Sequence, residues 1–153
     1  MMVLEILLNA LIIIGVFIFM EGVAWFTHKY IMHGFLWVWH KSHHEPRKGR
    51  FERNDLFAVV FSIPSMLLFM YSSVYREDFY LTSVAIGILA YGIFYFLFHD
   101  ILVHQRLKFR KRITNKYLQR LIKAHYVHHE KHTKEGCESF GFLFAKKKYA
   151  DKK

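Results

Sequence analysis

Ten of the eleven histidines in this 153-residue chain fall into two copies of one pattern, H-x4-H followed by H-x2-H-H-E. The first copy is His28/His33, then His40/His43/His44 with Glu45. The second is His99/His104, then His125/His128/His129 with Glu130. Neutral imidazole offers one lone pair to a metal, so a doubled array of this kind reads as a centre for two ions. In a helix the triplet spacing i, i+3, i+4 puts all three residues on one face, so His40, His43 and His44 are expected to converge, as are His125, His128 and His129. Residues five apart stand about 500° around a straight helix, about 140° beyond a full turn. An H-x4-H pair therefore suits either two ions or a helix end that bends. Ten nitrogens give about five per ion, leaving positions for water or oxygen if each ion prefers six ligands.

Imidazole suits iron, copper, nickel and zinc alike, and ten ligands are too many for one zinc. The hydrolytic H-E-x-x-H motif is absent. Cys137 is the only cysteine, which excludes an intrachain disulfide and a Cys-based zinc or iron-sulfur site. The expected donors are nitrogen and oxygen. Two redox metals beside a membrane point to oxygen chemistry, and iron is the first choice.

The elements that must position these ligands are membrane helices. The chain is 54% hydrophobic and 18% aromatic, rich for a soluble protein. Leu56 to Tyr75 and Phe79 to Phe98 are each twenty residues without a charge, about 30 Å as helices and enough to cross the hydrocarbon core. Val3 to Phe26 is a third apolar run, interrupted by Glu5, Asn9 and Glu21. Its start lacks Lys and Arg and no small-residue cleavage site precedes the histidines, so it reads as a retained helix rather than a signal peptide. Arg76, Glu77 and Asp78 form a short turn, making a hairpin of the second and third spans. The two histidine blocks then meet on one membrane face. The expected fold is a single all-α domain over residues 1–153 with spans at about 3–26, 56–75 and 79–98, room for a fourth, interfacial segment, and a histidine-rich helical cap.

Twenty-one of the 22 Lys and Arg residues lie on the histidine side, which marks that side as cytoplasmic and the amino terminus as outside. The formal charge of +10 reads as a topology signal and contact with anionic lipid, not as nucleic-acid binding. A basic cytoplasmic face also suits an acidic redox protein. Lys146, Lys147, Lys148, Lys152 and Lys153 read as a solvated, lipid-facing tail.

Glu21 lies seven residues before His28, within about 20° of its face, and an ionisable residue inside a span is a functional candidate. It is expected to orient a ligand imidazole through the second ring nitrogen, with a carboxyl group reaching for the interface as the alternative. Asp100, Glu45 and Glu130, each beside a histidine, are expected in the same supporting role or in solvent. Asn54 and Asp55 read as a cap of the second span, and His132 as solvated. Trp25, Phe26, Phe94, Tyr95, Phe96 and Phe98 read first as interface anchors, and second as walls of a tunnel for a long apolar substrate.

The segments HKYIMHG (28–34), HKSHHEPRKGRFERNDLFAVVF (40–61), HDILVHQR (99–106) and HYVHHEKHTKEGCESFGFLFA (125–145) resemble the fatty acid hydroxylase and sterol desaturase superfamily of membrane di-iron proteins. Within it they are similar to the bacterial beta-carotene hydroxylases. The resemblance implies two non-heme irons held by the ten histidines and insertion of one atom of O2 at carbon 3 of a beta-ionone ring. Beta-carotene would pass through cryptoxanthin to zeaxanthin, with electrons from reduced ferredoxin or a similar carrier. The chain has no G-x-G-x-x-G element, so the reductant is external. The rival readings are a hydroxylase, desaturase or ketolase acting on another lipid, and a non-catalytic membrane metal carrier. The carrier is disfavoured because both blocks lie on one side.

Overall fold

The computed structural model describes residues 2–46, 49–76, 78–107 and 112–150. They form five α-helices, α1 (Met2–Phe26), α2 (Trp37–His44), α3 (Leu56–Tyr71), α4 (Phe79–Tyr95) and α5 (Lys116–His129). No strand occurs among the described residues. Among the described residues three helical stretches are long and apolar enough to cross a membrane: Met2–Phe35, Arg53–Val74 and Phe79–Val103. They match the three expected spans, each extended toward the histidines. Leu7, Leu11, Ile14 and Ile18 of α1 and Val59, Met66 and Leu67 of α3 are exposed. That surface is what a lipid-facing helix presents, since hydrocarbon tails are as apolar as the side chains.

Helix α4 is the centre of the bundle, with α1 and α3 packed against it. Hydrophobic burial does not drive helices together in lipid, so close approach and polar contacts carry more of the association. Gly87 supplies the approach: a Cβ there would lie 2.7 Å from Val16 Cβ and 2.9 Å from the Ile13 carbonyl oxygen. Polar contacts flank it. Ser83 donates to Asn9 Oδ1 at 2.7 Å, tying α4 to α1, and Ser65 donates to the Ala85 carbonyl at 2.9 Å, tying α3 to α4. Asn9, an interruption in the apolar run of α1, is thus a bundle contact. Of the turn expected at 76–78, Glu77 lies outside the described residues, while Asp78 caps α4 by accepting from the Tyr80 and Leu81 amides.

Both H-x4-H pairs sit where α-helix gives way to π-helix, at Thr27–Phe35 after α1 and Phe96–Val103 after α4. Gly34 breaks the first with φ −102° and ψ −123°. The His104 amide donates to the His99 carbonyl at 2.9 Å, an i→i+5 bond that stacks residues five apart. The bent helix end allowed by the spacing is the form the chain takes.

The cap is only partly helical. It comprises α2, α5 and an irregular segment from 131 to 146; the expectation of a helical cap is corrected for this last part. Asn115 caps α5 by accepting from the Tyr117 and Leu118 amides, and the buried face of the helix, Leu121, Ala124, His125 and His128, turns toward the bundle. Leu121 joins Phe98, Val103 and Phe142 in the core beneath the cap. The terminal residues Lys152 and Lys153 lie outside the described residues.

Candidate metal centre

The ten patterned histidines gather into two groups of five, His28, His33, His40, His44 and His128, and His43, His99, His104, His125 and His129. Within each group one ligand atom per residue lies within 4.8 Å of all the others. Nitrogens on opposite sides of a first-row divalent ion stand about 4 Å apart, so both groups have the dimensions of a coordination sphere. Each triplet is divided between the groups. His40 and His44, four apart, stay together while His43 crosses to the second; His125 and His129 stay together while His128 crosses to the first. The expectation that a triplet converges on one point is corrected: three residues on one helix face fan over a wider arc than one ion covers.

The outer nitrogens decide the chemistry of the inner ones. His33 Nδ1 donates to the Lys134 carbonyl at 3.0 Å and His128 Nδ1 to the Glu138 carbonyl at 2.8 Å. A carbonyl only accepts, so both protons are on Nδ1 and both Nε2 atoms carry lone pairs. Those two Nε2 atoms face each other at 3.2 Å. The same holds for His28, donating to the Phe140 carbonyl at 2.9 Å, and His40, donating to Asn54 Oδ1 at 2.7 Å, whose Nε2 atoms stand 3.0 Å apart. His44 donates to the Lys131 carbonyl at 2.8 Å and turns its Nε2 to His40 at 3.2 Å. In the second group, His43 donates to Glu52 at 3.0 Å and His99 to Asp100 at 3.2 Å, and their Nε2 atoms meet at 2.9 Å. His129 Nε2 is buried with no hydrogen-bond partner.

Lone pairs at these separations repel unless a positive charge lies between them. Protons do not supply it. Burial first, then the neighbouring imidazoles, hold His43 and His125 well below the ordinary histidine value of 6.5. Burial lowers His40 as strongly, against the hydrogen bond to Asn54. For the same leading reason His44 falls to about 4, His128 to about 3, and His129 lower still. Near neutral pH these rings are uncharged ligands. The donor set fits two divalent transition-metal ions.

A cavity of about 670 Å³ leads to this centre between α1, α3 and α4. Its wall is almost wholly apolar, with Met20, Phe61, Phe69, Leu89 and Phe96 along its length. His28, His40, His99 and Phe142 stand at the inner end. From Phe57 to Met70 it follows α3 for about 20 Å. Phe142 bridges the two groups, stacked at 4° on His28 and set at 89° to His99.

The model of the family described as Fatty acid hydroxylase matches residues 13–147. This chain belongs to the fatty acid hydroxylase family. Among curated relatives, the beta-carotene hydroxylase of Pantoea ananas is 53% identical over 137 residues, covering 90% of this chain and 77% of that one. The beta-carotene hydroxylase of Pseudescherichia vulneris is 50% identical over 141 residues, covering 92% and 79%. The chloroplastic beta-carotene 3-hydroxylase of Haematococcus lacustris is 39% identical over 129 residues, covering 78% of this chain and 38% of the relative. No solved structure matches the chain significantly.

Around the histidines, the supporting residues named from the sequence divide. Asp100 reaches His99. Glu21 is buried but turns away from the imidazoles, accepting from Tyr91 at 2.7 Å and from the Phe142 and Leu143 amides at 2.8 and 2.9 Å. Its oxygens meet donors from α4 and the C-terminal segment before a ring nitrogen. Glu45 is exposed and pairs with Lys41 at 3.4 Å, and Glu130 is exposed at the end of α5; each side chain leaves its helix on the solvent side. Asp55 stands at the start of α3 but makes no side-chain cap there, which corrects the expected cap of the second span; its carboxylate turns back to accept from the Glu52 amide at 2.9 Å in a capping box over Arg53–Asp55 and binds Arg106 at 2.6 Å. Asn54 is a buried acceptor for His40. Exposed His132 bonds the His44 carbonyl. Of the flanking aromatics, Tyr95 and Phe96 line the cavity, Phe94 and Phe98 pack inside, and Trp25 and Phe26 are exposed. Sequence reasoning missed Glu52 and four backbone carbonyls; the E-R-N-D capping box at 52–55 was the available signal for the first.

Proposed function

We propose that this chain is an integral-membrane monooxygenase, a single hydroxylase domain that hydroxylates carbon 3 of the beta-ionone rings of beta-carotene, giving cryptoxanthin and then zeaxanthin. The observation that carries the reading is the placement of two five-imidazole groups, lone pairs converging, at the inner end of a long apolar cavity. The beta-carotene hydroxylases among its relatives supply the substrate. The histidine face is assigned to the cytoplasm and the protein to the inner membrane, on the strength of the Lys and Arg bias. Electrons come from ferredoxin or a similar acidic carrier docking on that basic face.

His28, His33, His40, His44 and His128 would hold one iron, and His43, His99, His104, His125 and His129 the other. The bound pair supplies oxygen activation: with O2, two electrons and two protons, a ring C–H becomes C–OH and the second oxygen atom leaves as water. The chain's own residues do the rest. Asn54, Glu52, Asp100 and the four carbonyls hold protons on Nδ1 of seven rings and keep those seven aimed inward. The apolar wall accepts the hydrocarbon chain, excludes water from the reacting carbon and brings one ring end beside His28, His40 and His99. Phe142 closes the inner end and limits how deep the ring can travel. Expression in cells that accumulate beta-carotene, followed by pigment analysis, tests this: hydroxylated rings at carbon 3 are expected, and unchanged pigment with reductant present would refute the substrate.

A further inference from the structure

The two groups differ in what stands behind the imidazoles. In the first, the outer nitrogens donate to neutral oxygens, four backbone carbonyls and the Asn54 amide. In the second, two of the five imidazoles are backed by carboxylates, His43 by Glu52 and His99 by Asp100. Arg106 locks these carboxylates in place. Its Nη2 lies 2.6 Å from Asp55 Oδ1 and 3.5 Å from Glu52 Oε2, and its Nε lies 3.3 Å from Asp100 Oδ1. Among these four side chains, three carboxylates share one guanidinium.

We infer that the two metal positions are unequal, and that the second, formed by His43, His99, His104, His125 and His129, binds its ion more tightly, fills first and empties last. This rests on the reading that the histidines hold metal. The cause is chemical. A carboxylate accepting the Nδ1 proton pulls that proton outward, raises electron density at Nε2 and makes the ring a stronger donor than a neutral carbonyl does. The negative charge also stabilises a dication directly, and partial burial keeps solvent from screening it. Arg106 offsets part of that charge but fixes both acceptors, so Glu52 and Asp100 act as positioning residues for the metal rather than as ligands. Losing one such outer partner lowers metal affinity by about 10–100-fold. Carboxylates stand behind two rings of the second group and behind none of the first, which predicts two separable affinities.

The test is competition between a coloured chelator and the purified full chain in detergent, loaded with Co(II) as the probe. Two equivalents are expected to leave at distinct chelator concentrations, in two resolved steps. His33→Ala should remove the weaker equivalent and His104→Ala the tighter. The near-isosteric pair Glu52→Gln with Asp100→Asn should weaken the tighter equivalent by about 10–100-fold and leave the weaker one in place. Equal affinities in the unsubstituted chain would overturn the inference, as would a paired variant that weakens the other equivalent. Binding of no Co(II) by folded protein would instead overturn the metal reading beneath it.

Discussion

Replacing Glu21 by Ala should release the C-terminal segment from the metal centre. Glu21 is 6% exposed and its two oxygens take three hydrogen bonds, from Tyr91, Phe142 and Leu143. Two of the three come from the C-terminal segment, and a hydrogen bond contributes about 0.5–1.5 kcal/mol. The two share one group and are not strictly additive, so the range gives about 2 kcal/mol in total. That corresponds to about a thirtyfold shift in the equilibrium between docked and undocked segment. Hydrogen-deuterium exchange at the Phe142 and Leu143 amides should accelerate by that order in the variant, in detergent or lipid nanodiscs. Glu21→Gln keeps an oxygen for the two amides and offers an NH2 to the Tyr91 oxygen, so its exchange should remain near that of the parent. Undocking also removes the Phe140 carbonyl from His28, and affinity at the first metal position should fall by about 10–100-fold. Parent-like exchange in Glu21→Ala, or equal exchange in both variants, would refute the reasoning.

Three further outcomes follow from the geometry. His43→Ala or His125→Ala, each removing one of five nitrogens from the second group, should abolish hydroxylation while membrane insertion, read by protease protection, stays intact. Full turnover in both would refute the ligand assignment. Gly87→Leu drives a side chain into Val16 and the Ile13 carbonyl; overpacking of this kind costs about 1–3 kcal/mol, which should lower the thermal midpoint in detergent. The third concerns pH. In chelator-treated protein, His44 at about 4 and His128 at about 3 lie below the 6.5 of the unfolded chain, so the unfolded state gains protons first. Stability should be complete above pH 6.5 and fall progressively as pH drops toward 4. A denaturant midpoint that stays flat from pH 8 to pH 5 would contradict it.

The ten ligand candidates and the spans were legible because each leaves a mark in side-chain type. Histidine at fixed spacing is rare outside metal sites, and twenty uncharged residues in a row have few other readings. What the sequence could not convey was the partition of the triplets, which depends on how α2 and α5 are placed around the two groups. The helical period puts His40, His43 and His44 on one face but cannot say which of two ions lies nearer each ring. Nor did it reveal the carbonyls of Phe140, Lys134, Lys131 and Glu138, since a backbone acceptor has no residue signature. Glu21 was singled out as a carboxylate of consequence within a span, but its helical phase pointed to His28 when its partners came from 70, 121 and 122 residues away. Periodicity reports neighbours along one helix and is blind to a segment that returns from the far end of the chain.

The exchange of His43 for His128 between the groups sets the order in which this protein can be made. Neither five-nitrogen sphere is complete without residues from 125–129, so no ion can be fully coordinated while the ribosome is still threading the spans into the bilayer. Loading of either metal position is thereby deferred until α5 has been made. A nascent chain arrested after α4 would carry five of the ten histidines and have nowhere to close them.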